Sequence, residues 1–360
     1  MKNFEAATRV IAGDGALKVI EEFGARNLLI VTDPYFYENG TAARIGKLSG
    51  AAQVEFFHKV QPDPSVELAA EGTAVVKACN PDVIVALGGG SAMDCAKAMT
   101  YFSQTQATLI AVPTTSGSGS EVTDFAILSH GGVKHPLVDR RLRPKAAILD
   151  SSLLQQLPKK LIADTGFDVL CHAAESYVAT GSGMITEALA LDAFRTAYGL
   201  LPASYAGDGS VRLRIHTAAT MAGMAFTQSG LGLCHALSHA LGGMFHVPHG
   251  RLNAILLPAV IGSNAHAAGE KYAKLAMGAG MGGSAQTLAV RNLRNALIRL
   301  RRELDMPDTL SQAGVDIRKL RQNMDALTAA ALEDPCCRTN PMRAEPFILR
   351  RILEEVAGNV

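Results

Sequence analysis

A chain of 360 residues that is 48% hydrophobic and 19% charged has material for two cores and reads as globular, not disordered. A formal net charge of +1 leaves no basic excess for a phosphate backbone, which excludes nucleic acid as a partner. The sequence contains no uninterrupted apolar run of about 18 residues and no signal-like apolar stretch at its start, so a cytoplasmic protein without a membrane partner is expected.

The elements then follow in chain order. Leu28-Leu29-Ile30-Val31-Thr32 is a β-rich run, and residues 66–78 carry apolar side chains at helical spacing. Val83-Ile84-Val85-Ala86-Leu87 is a second strand-like run, followed at once by Gly88-Gly89-Gly90-Ser91. Residues 108–113 and 146–150 complete a set of four. Strand–helix alternation predicts a parallel sheet covered by helices, an α/β domain over 1–158. Beyond that point β-branched runs almost vanish. Segments 161–180, 185–201, 211–224, 265–277, 285–304 and 346–356 repeat near 3.6 residues, and 278–284 reads as a loop between two of them. They predict an all-α domain over 159–360. The six cysteines are scattered, with no Cys-x-x-Cys pair, so reduced thiols are expected and a cysteine zinc site is not.

Three segments of the first domain admit two readings each. Gly88, Gly89, Gly90 and Ser91 open a helix containing Asp94 and Lys97. Such a turn either simply joins strand to helix or brings backbone N–H groups against a pyrophosphate. The run from Pro113 to Thr123 either caps the next helix or lines a nucleotide with hydroxyls and amides. Asp33 either makes a turn before Pro34 or accepts hydrogen bonds from ribose hydroxyls and repels a 2′-phosphate.

The second domain concentrates histidine. Four of the ten, His235, His239, His246 and His249, lie within fifteen residues. Asp168 and His172 stand four apart upstream, as do His235 and His239, and helical residues at that spacing share a face. A buried stripe of Phe167, Leu170, Cys171 and Ala174 leaves Asp168 and His172 on a shared face. His249 sits in Pro248-His249-Gly250, which reads as a turn. A single histidine of this kind more often packs and finds a hydrogen bond. The set supplies one carboxylate and three imidazoles, which suits Fe²⁺ or Zn²⁺ with a position left open for an oxygen ligand.

Taken together, these motifs resemble the iron-containing (group III) alcohol dehydrogenases along essentially the whole chain. The carriers are Gly88-Gly89-Gly90-Ser91-Ala92-Met93-Asp94, the run 113–123, the run Thr165 to Ala173, and the stretch Gly230 through Gly250. Within the family the pattern looks most like the 1-propanol dehydrogenases of propanediol-utilising bacteria. The resemblance implies the dehydroquinate-synthase-like, iron-alcohol-dehydrogenase fold with the site between its two domains. It implies metal ligands Asp168, His172, His235 and His249, with Fe²⁺ or Zn²⁺ bound. It places His239 near the nicotinamide as a non-ligand and Phe226 beside nicotinamide and substrate. It implies NAD(H) held by Gly88, Gly89, Gly90, Ser91, Asp94, Thr114, Thr115, Ser116 and Lys134, with Asp33 setting NAD preference. His246 is left structural.

The activity implied is interconversion of short-chain primary alcohols and aldehydes, propanal and 1-propanol foremost. A homodimer is implied, with residence in a bacterial microcompartment beside an aldehyde dehydrogenase. Departures from the family pattern fall at Asn340-Pro341-Met342-Arg343, at Cys336 and Cys337 before it, and at Asp124 and Phe125 near the substrate. Two other readings compete: a metal-dependent hydrolase using the same Asp/His set, and a microcompartment structural component. The first leaves the glycine-rich turn unexplained, and the second leaves a full ligand set unexplained.

Overall fold

The computed structural model describes residues 4–131 and 133–358. The chain divides into two compact units, one over Ala6–Leu157 and one from Pro158 onward that also includes Phe4 and Glu5. The Glu5 carbonyl accepts a hydrogen bond from Gln228 Nε2.

The first unit is built on a six-stranded parallel sheet. Its strands are β1 (Arg9–Gly13), β2 (Asn27–Thr32), β3 (Gln53–Phe57), β4 (Val83–Gly88), β5 (Thr108–Pro113) and, after a hairpin, β8 (Ala146–Asp150). The order is β1-β8-β5-β4-β2-β3. The central strands β2, β4, β5 and β8 are buried almost throughout, which is why they read as unbroken apolar runs. The edge strands β1 and β3 are missing from the sequence reading. Their burial is broken by exposed positions, so neither forms an apolar block. Helices α1 (Pro34–Glu38), α2 (Thr41–Leu48), α3 (Val66–Cys79) and α4 (Gly90–Ser103) cover the sheet. The hairpin β6 (Phe125–His130) and β7 (Val133–Val138) was likewise not legible, and it pairs antiparallel apart from the main sheet.

The second unit is helical: α5 (Lys159–Val178), α6 (Met184–Ala206), α7 (Arg212–Ser229), α8 (Leu233–Phe245), α9 (His249–Gly278), α10 (Gln286–Glu303), α11 (Ile317–Gln322), α12 (Met324–Glu333) and α13 (Pro346–Ala357). Helix α5 is its axis. It packs against α6, α7 and α9, and every residue from Gly166 to Val178 is buried. The expected stripe of Phe167, Leu170, Cys171 and Ala174 is buried, and the shared face of Asp168 and His172 is buried as well. Partners on all sides bury both faces, and the polar residues are sequestered, not solvated. Two boundaries also move. Helix α7 runs to Ser229, beyond the expected end at 224, and the expected helix 265–277 is the tail of α9. A break at Ala268 (φ −127°, ψ 17°) falls inside that expected segment.

Candidate active site

Helix α5 carries Asp168 and His172 one turn apart, and Glu175 lies almost one turn further along. Glu175 organises the start of α8. The N-cap of α8 is Gly232, which has no side chain to bond the first amides of the helix. Glu175 does that work from α5: Oε1 accepts from Cys234 N at 2.7 Å, and Oε2 accepts from Gly232 N at 3.0 Å and His235 N at 3.3 Å. A carboxylate at a helix N-terminus also meets the positive end of the helix dipole. Burial pushes the Glu175 carboxyl up to about 7, against the lowering effect of these donors.

The same Glu175 Oε2 lies 2.7 Å from His235 Nδ1. A proton on Nδ1 leaves Nε2 with a free lone pair, and Nε2 lies 3.8 Å from Asp168 Oδ1. His249 is the first residue of α9, not a turn residue, and its Nε2 stands 3.6 Å from the same Asp168 oxygen. Asp168, His235 and His249 thus offer ligand atoms within 4.8 Å of one another. His172 stands beside this set. Its Nδ1 is 4.0 Å from Asp168 Oδ2, and its ring stacks on His235 at 4.5 Å and on Phe226 of α7 at 4.4 Å.

Burial holds the pKa of His235 and of His249 well below the ordinary histidine value, and neighbouring imidazoles add to the effect. Burial thus favours the neutral ring in both, the state a metal ligand needs. Asn253, one turn after His249, donates from Nδ2 to Asp168 Oδ1 at 2.7 Å and stands 3.1 Å from His249 Nε2. Sequence reasoning missed Glu175 and Asn253, although each continues the helical spacing of a residue it did identify.

His239 lies one turn beyond His235 and stacks on His249 at 5.1 Å. Its Nδ1 is 2.7 Å from Asp334 Oδ2, a partner 95 residues away that the sequence reading did not include. Burial alone would raise the Asp334 pKa. The hydrogen bond to His239 and the Cys336 amide prevail and hold it at about 2. His246 occupies the left-handed C-cap of α8 and is exposed.

One consequence concerns Glu175. Its replacement by Gln keeps the shape but puts an amide where His235 donates and three backbone N–H groups converge. Glu175→Gln is expected to weaken divalent-metal affinity by roughly 10- to 100-fold with the helical fold retained. Metal titration alongside circular dichroism checks this, and unchanged affinity would remove Glu175 from the site's support.

The first unit holds the other candidate residues. Strand β4 ends at Gly88 with φ +147°, and a Cβ there would come within 2.7 Å of Ala92 Cβ. Glycine is required by both conformation and space. Helix α4 follows with N-cap Gly89 and no side-chain cap. Cβ atoms on Gly89 and Gly90 would stand 3.1 and 3.2 Å from Thr115 and Ser118, so the hydroxyl-rich loop lies tight against the helix start. Thr114 N donates to Gly88 O at 3.0 Å, and Thr114 and Ser116 are buried. Asp33 caps α1 through Phe36 N, and its Oδ2 lies 3.7 Å from where a Gly88 Cβ would sit.

Asp94 is engaged inside the protein, accepting from Ser120 Oγ at 2.8 Å and Ile127 N at 3.1 Å. Lys97, fully buried, donates to Ser120 Oγ, Thr123 Oγ1 and Phe125 O. Burial lowers its pKa to about 8. Asp94 and Lys97 therefore tie α4 to the hydroxyl loop. The Phe125 ring lies over the Lys97 ammonium, and Asp124 pairs with Arg143 at 2.9 Å. Lys134, on β7, pairs with Asp63 at 2.6 Å.

Comparison with known proteins covers nearly the whole chain. The family described as iron-containing alcohol dehydrogenase matches residues 7–151, and its C-terminal counterpart, the Fe-containing alcohol dehydrogenase family, matches residues 162–356. The sequence is 38% identical to the 1-propanol dehydrogenase PduQ of Salmonella typhimurium, over 99% of this chain and 100% of that protein. The structure is similar to an iron-containing alcohol dehydrogenase from Thermococcus thioreducens, with a TM-score of 0.92, 31% identity, and coverage of 98% and 99% of the two chains. It is also similar to sulfoacetaldehyde reductase from Bifidobacterium kashiwanohense, solved in complex with NAD⁺, with a TM-score of 0.91, 25% identity and full coverage of both chains.

Proposed function

Given that the chain belongs to the iron-containing alcohol dehydrogenase family and interconverts alcohols and aldehydes, we propose that it reduces short aldehydes such as propanal with NADH, using a divalent ion held by Asp168, His172, His235 and His249. The observation that carries this reading is the convergence of three neutral or anionic donors from α5, α8 and α9. Ligand distances of about 2.0–2.2 Å place tetrahedral donors roughly 3.4 Å apart. The 3.6 and 3.8 Å separations of His249 and His235 from Asp168 fit that demand. Oxygen and imidazole donors suit Fe²⁺ and Zn²⁺, and the family favours iron.

A bound ion supplies Lewis acidity toward the carbonyl oxygen, and a bound nicotinamide supplies the hydride. The chain's own residues do the rest. Asn253 and Glu175 fix the direction of Asp168 and His235. Phe226 covers His172 with an apolar ring and excludes water on that side. His239, with Nδ1 directed at Asp334, keeps its other nitrogen for passing a proton between water and the substrate oxygen. Gly88, Gly89, Gly90 and Ser91 receive the pyrophosphate at the uncapped start of α4, and Thr114, Thr115 and Ser116 flank it. Asp33 accepts from the ribose hydroxyls, and Asp94 holds the hydroxyl loop in place. Lys134 is assigned to the cofactor on resemblance alone, since it faces Asp63 here.

We propose further, on the family resemblance alone, a homodimer in the cytoplasm or in a microcompartment beside an aldehyde dehydrogenase. No helix among the described residues is long and apolar enough to cross a membrane.

The test is anaerobic NADH oxidation over two- to five-carbon aldehydes with Fe²⁺ or Zn²⁺ restored. Turnover of propanal is expected. Turnover of an ester or amide without nicotinamide binding would establish a hydrolase instead. In the same assay NADH is expected to be preferred over NADPH, and Asp33→Gly should narrow that preference by about tenfold, the effect of relieving one like-charge contact. Equal use of both nucleotides by the parent protein would remove Asp33 from this role.

A further inference from the structure

We propose that His239, Asp334 and Cys336 form a second metal site, separate from the one around Asp168, which takes Zn²⁺ and thereby stops aldehyde reduction. Their ligand atoms lie within 4.8 Å of one another. Two of them sit on one turn. Asp334 is the N-cap of the 3-10 turn Pro335–Thr339, its Oδ1 accepts from Cys336 N at 2.8 Å, and the Cys336 sulfur lies within 4.8 Å of the same carboxylate. The third donor comes from α8, where His239 Nδ1 hydrogen-bonds Asp334 Oδ2 at 2.7 Å, a pair that opens to about 3.4 Å when an ion replaces the shared proton.

The donor set differs in kind from the first site. Asp168, His172, His235 and His249 offer only oxygen and nitrogen, whereas here nitrogen, oxygen and sulfur converge. A thiolate donor favours zinc over magnesium or calcium, and zinc stands above ferrous iron in divalent affinity. Three protein ligands leave a fourth tetrahedral position for water. The His239 side chain is 29% exposed, which gives an ion a way in.

The proton balance explains the effect on catalysis. Before binding, His239 carries its proton on Nδ1, and the Cys336 sulfur carries one of its own. Zinc takes the Nδ1 lone pair, so the imidazole proton moves to Nε2. The thiol proton leaves to water, and the two anionic ligands then neutralise the ion. With Nε2 protonated and Nδ1 metallated, His239 has no nitrogen left to accept a proton. The inhibitory half rests on the relay role proposed above for His239; the binding half does not.

The experiment uses the iron-loaded full chain exposed to Zn²⁺, with metals counted by mass spectrometry. The parent protein is expected to keep its iron, gain one zinc and lose aldehyde reduction. C336S should keep its iron, gain no zinc and stay active. C337S should behave as the parent, because the Cys337 thiol bonds to Ala331 O instead. Co²⁺ in place of Zn²⁺ should give a thiolate-to-cobalt charge-transfer band that C336S lacks. Zinc entering only as iron leaves, or a cobalt band that persists in C336S, would overturn the site. Zinc bound with iron retained and activity unchanged would overturn the inhibition, and the relay role of His239 with it.

Discussion

His249→Ala is expected to lose metal and activity together while the protein stays folded. Position 249 is the first of α9, after N-cap Pro248, and alanine is well tolerated at a helix start outside the cap itself. Asn253 keeps its hydrogen bond to Asp168, so the carboxylate does not lose its direction. What disappears is one imidazole donor 3.6 Å from Asp168 Oδ1. Loss of a supporting residue costs a metal site roughly 10- to 100-fold, so loss of a ligand should cost at least about 100-fold in affinity, with turnover falling alongside. Metal content, NADH oxidation and thermal unfolding should be read on the same sample. His246→Ala, in the exposed C-cap of the neighbouring helix, is the matched control and should leave metal content unchanged. A His249→Ala protein that is metal-free yet fully active would end the assignment of this centre.

What the sequence revealed of this centre depends on the range of each signal. Spacing within one helix is local, so Asp168 with His172 and His235 with His239 were visible as pairs. The same logic extended by one step finds Glu175, three residues after His172, and Asn253, four after His249. Both were passed over because a buried glutamate and a buried asparagine look like ordinary surface polars until their partners are known. Asp334 has no local signal at all, since its bond to His239 spans 95 residues.

The fold shows the same division. The four central strands were legible because both faces are buried, while β1 and β3 gave no apolar block at the edges. The full burial of α5 has no periodic signature, because periodicity reports the contrast between two faces. A helix surrounded by α6, α7 and α9 has little contrast to report, and its polar residues mark the site instead.

Gly250→Ala is expected to damage the same centre through packing. A Cβ at this position would stand 1.9 Å from the carbonyl oxygen of Asp164, a backbone atom near the start of α5 that no rotamer change can move aside. Arg251, the next residue, clamps the Asp164 carboxylate with Nε at 3.1 Å and Nη2 at 2.7 Å, so the start of α9 is pinned to α5 at this contact. Alanine must force the two helices apart. His249 precedes Gly250, and Asp168 lies one turn beyond Asp164, so the separation falls on the ligand pair. Overpacking of a rigid contact costs about 3 kcal/mol or more, which lowers the melting temperature of a unit of this size by roughly 6 to 12 °C. Metal affinity should drop in the same variant although no ligand has changed. Gly242→Ala provides the contrast. Its Cβ would find its nearest neighbour at 3.7 Å, an ordinary contact, and alanine inside α8 should be neutral or stabilising by up to about 1 kcal/mol. If calorimetry and metal titration found Gly250→Ala as stable and as tightly metallated as Gly242→Ala, the close approach of α9 to α5 would not be what sets the geometry of the site.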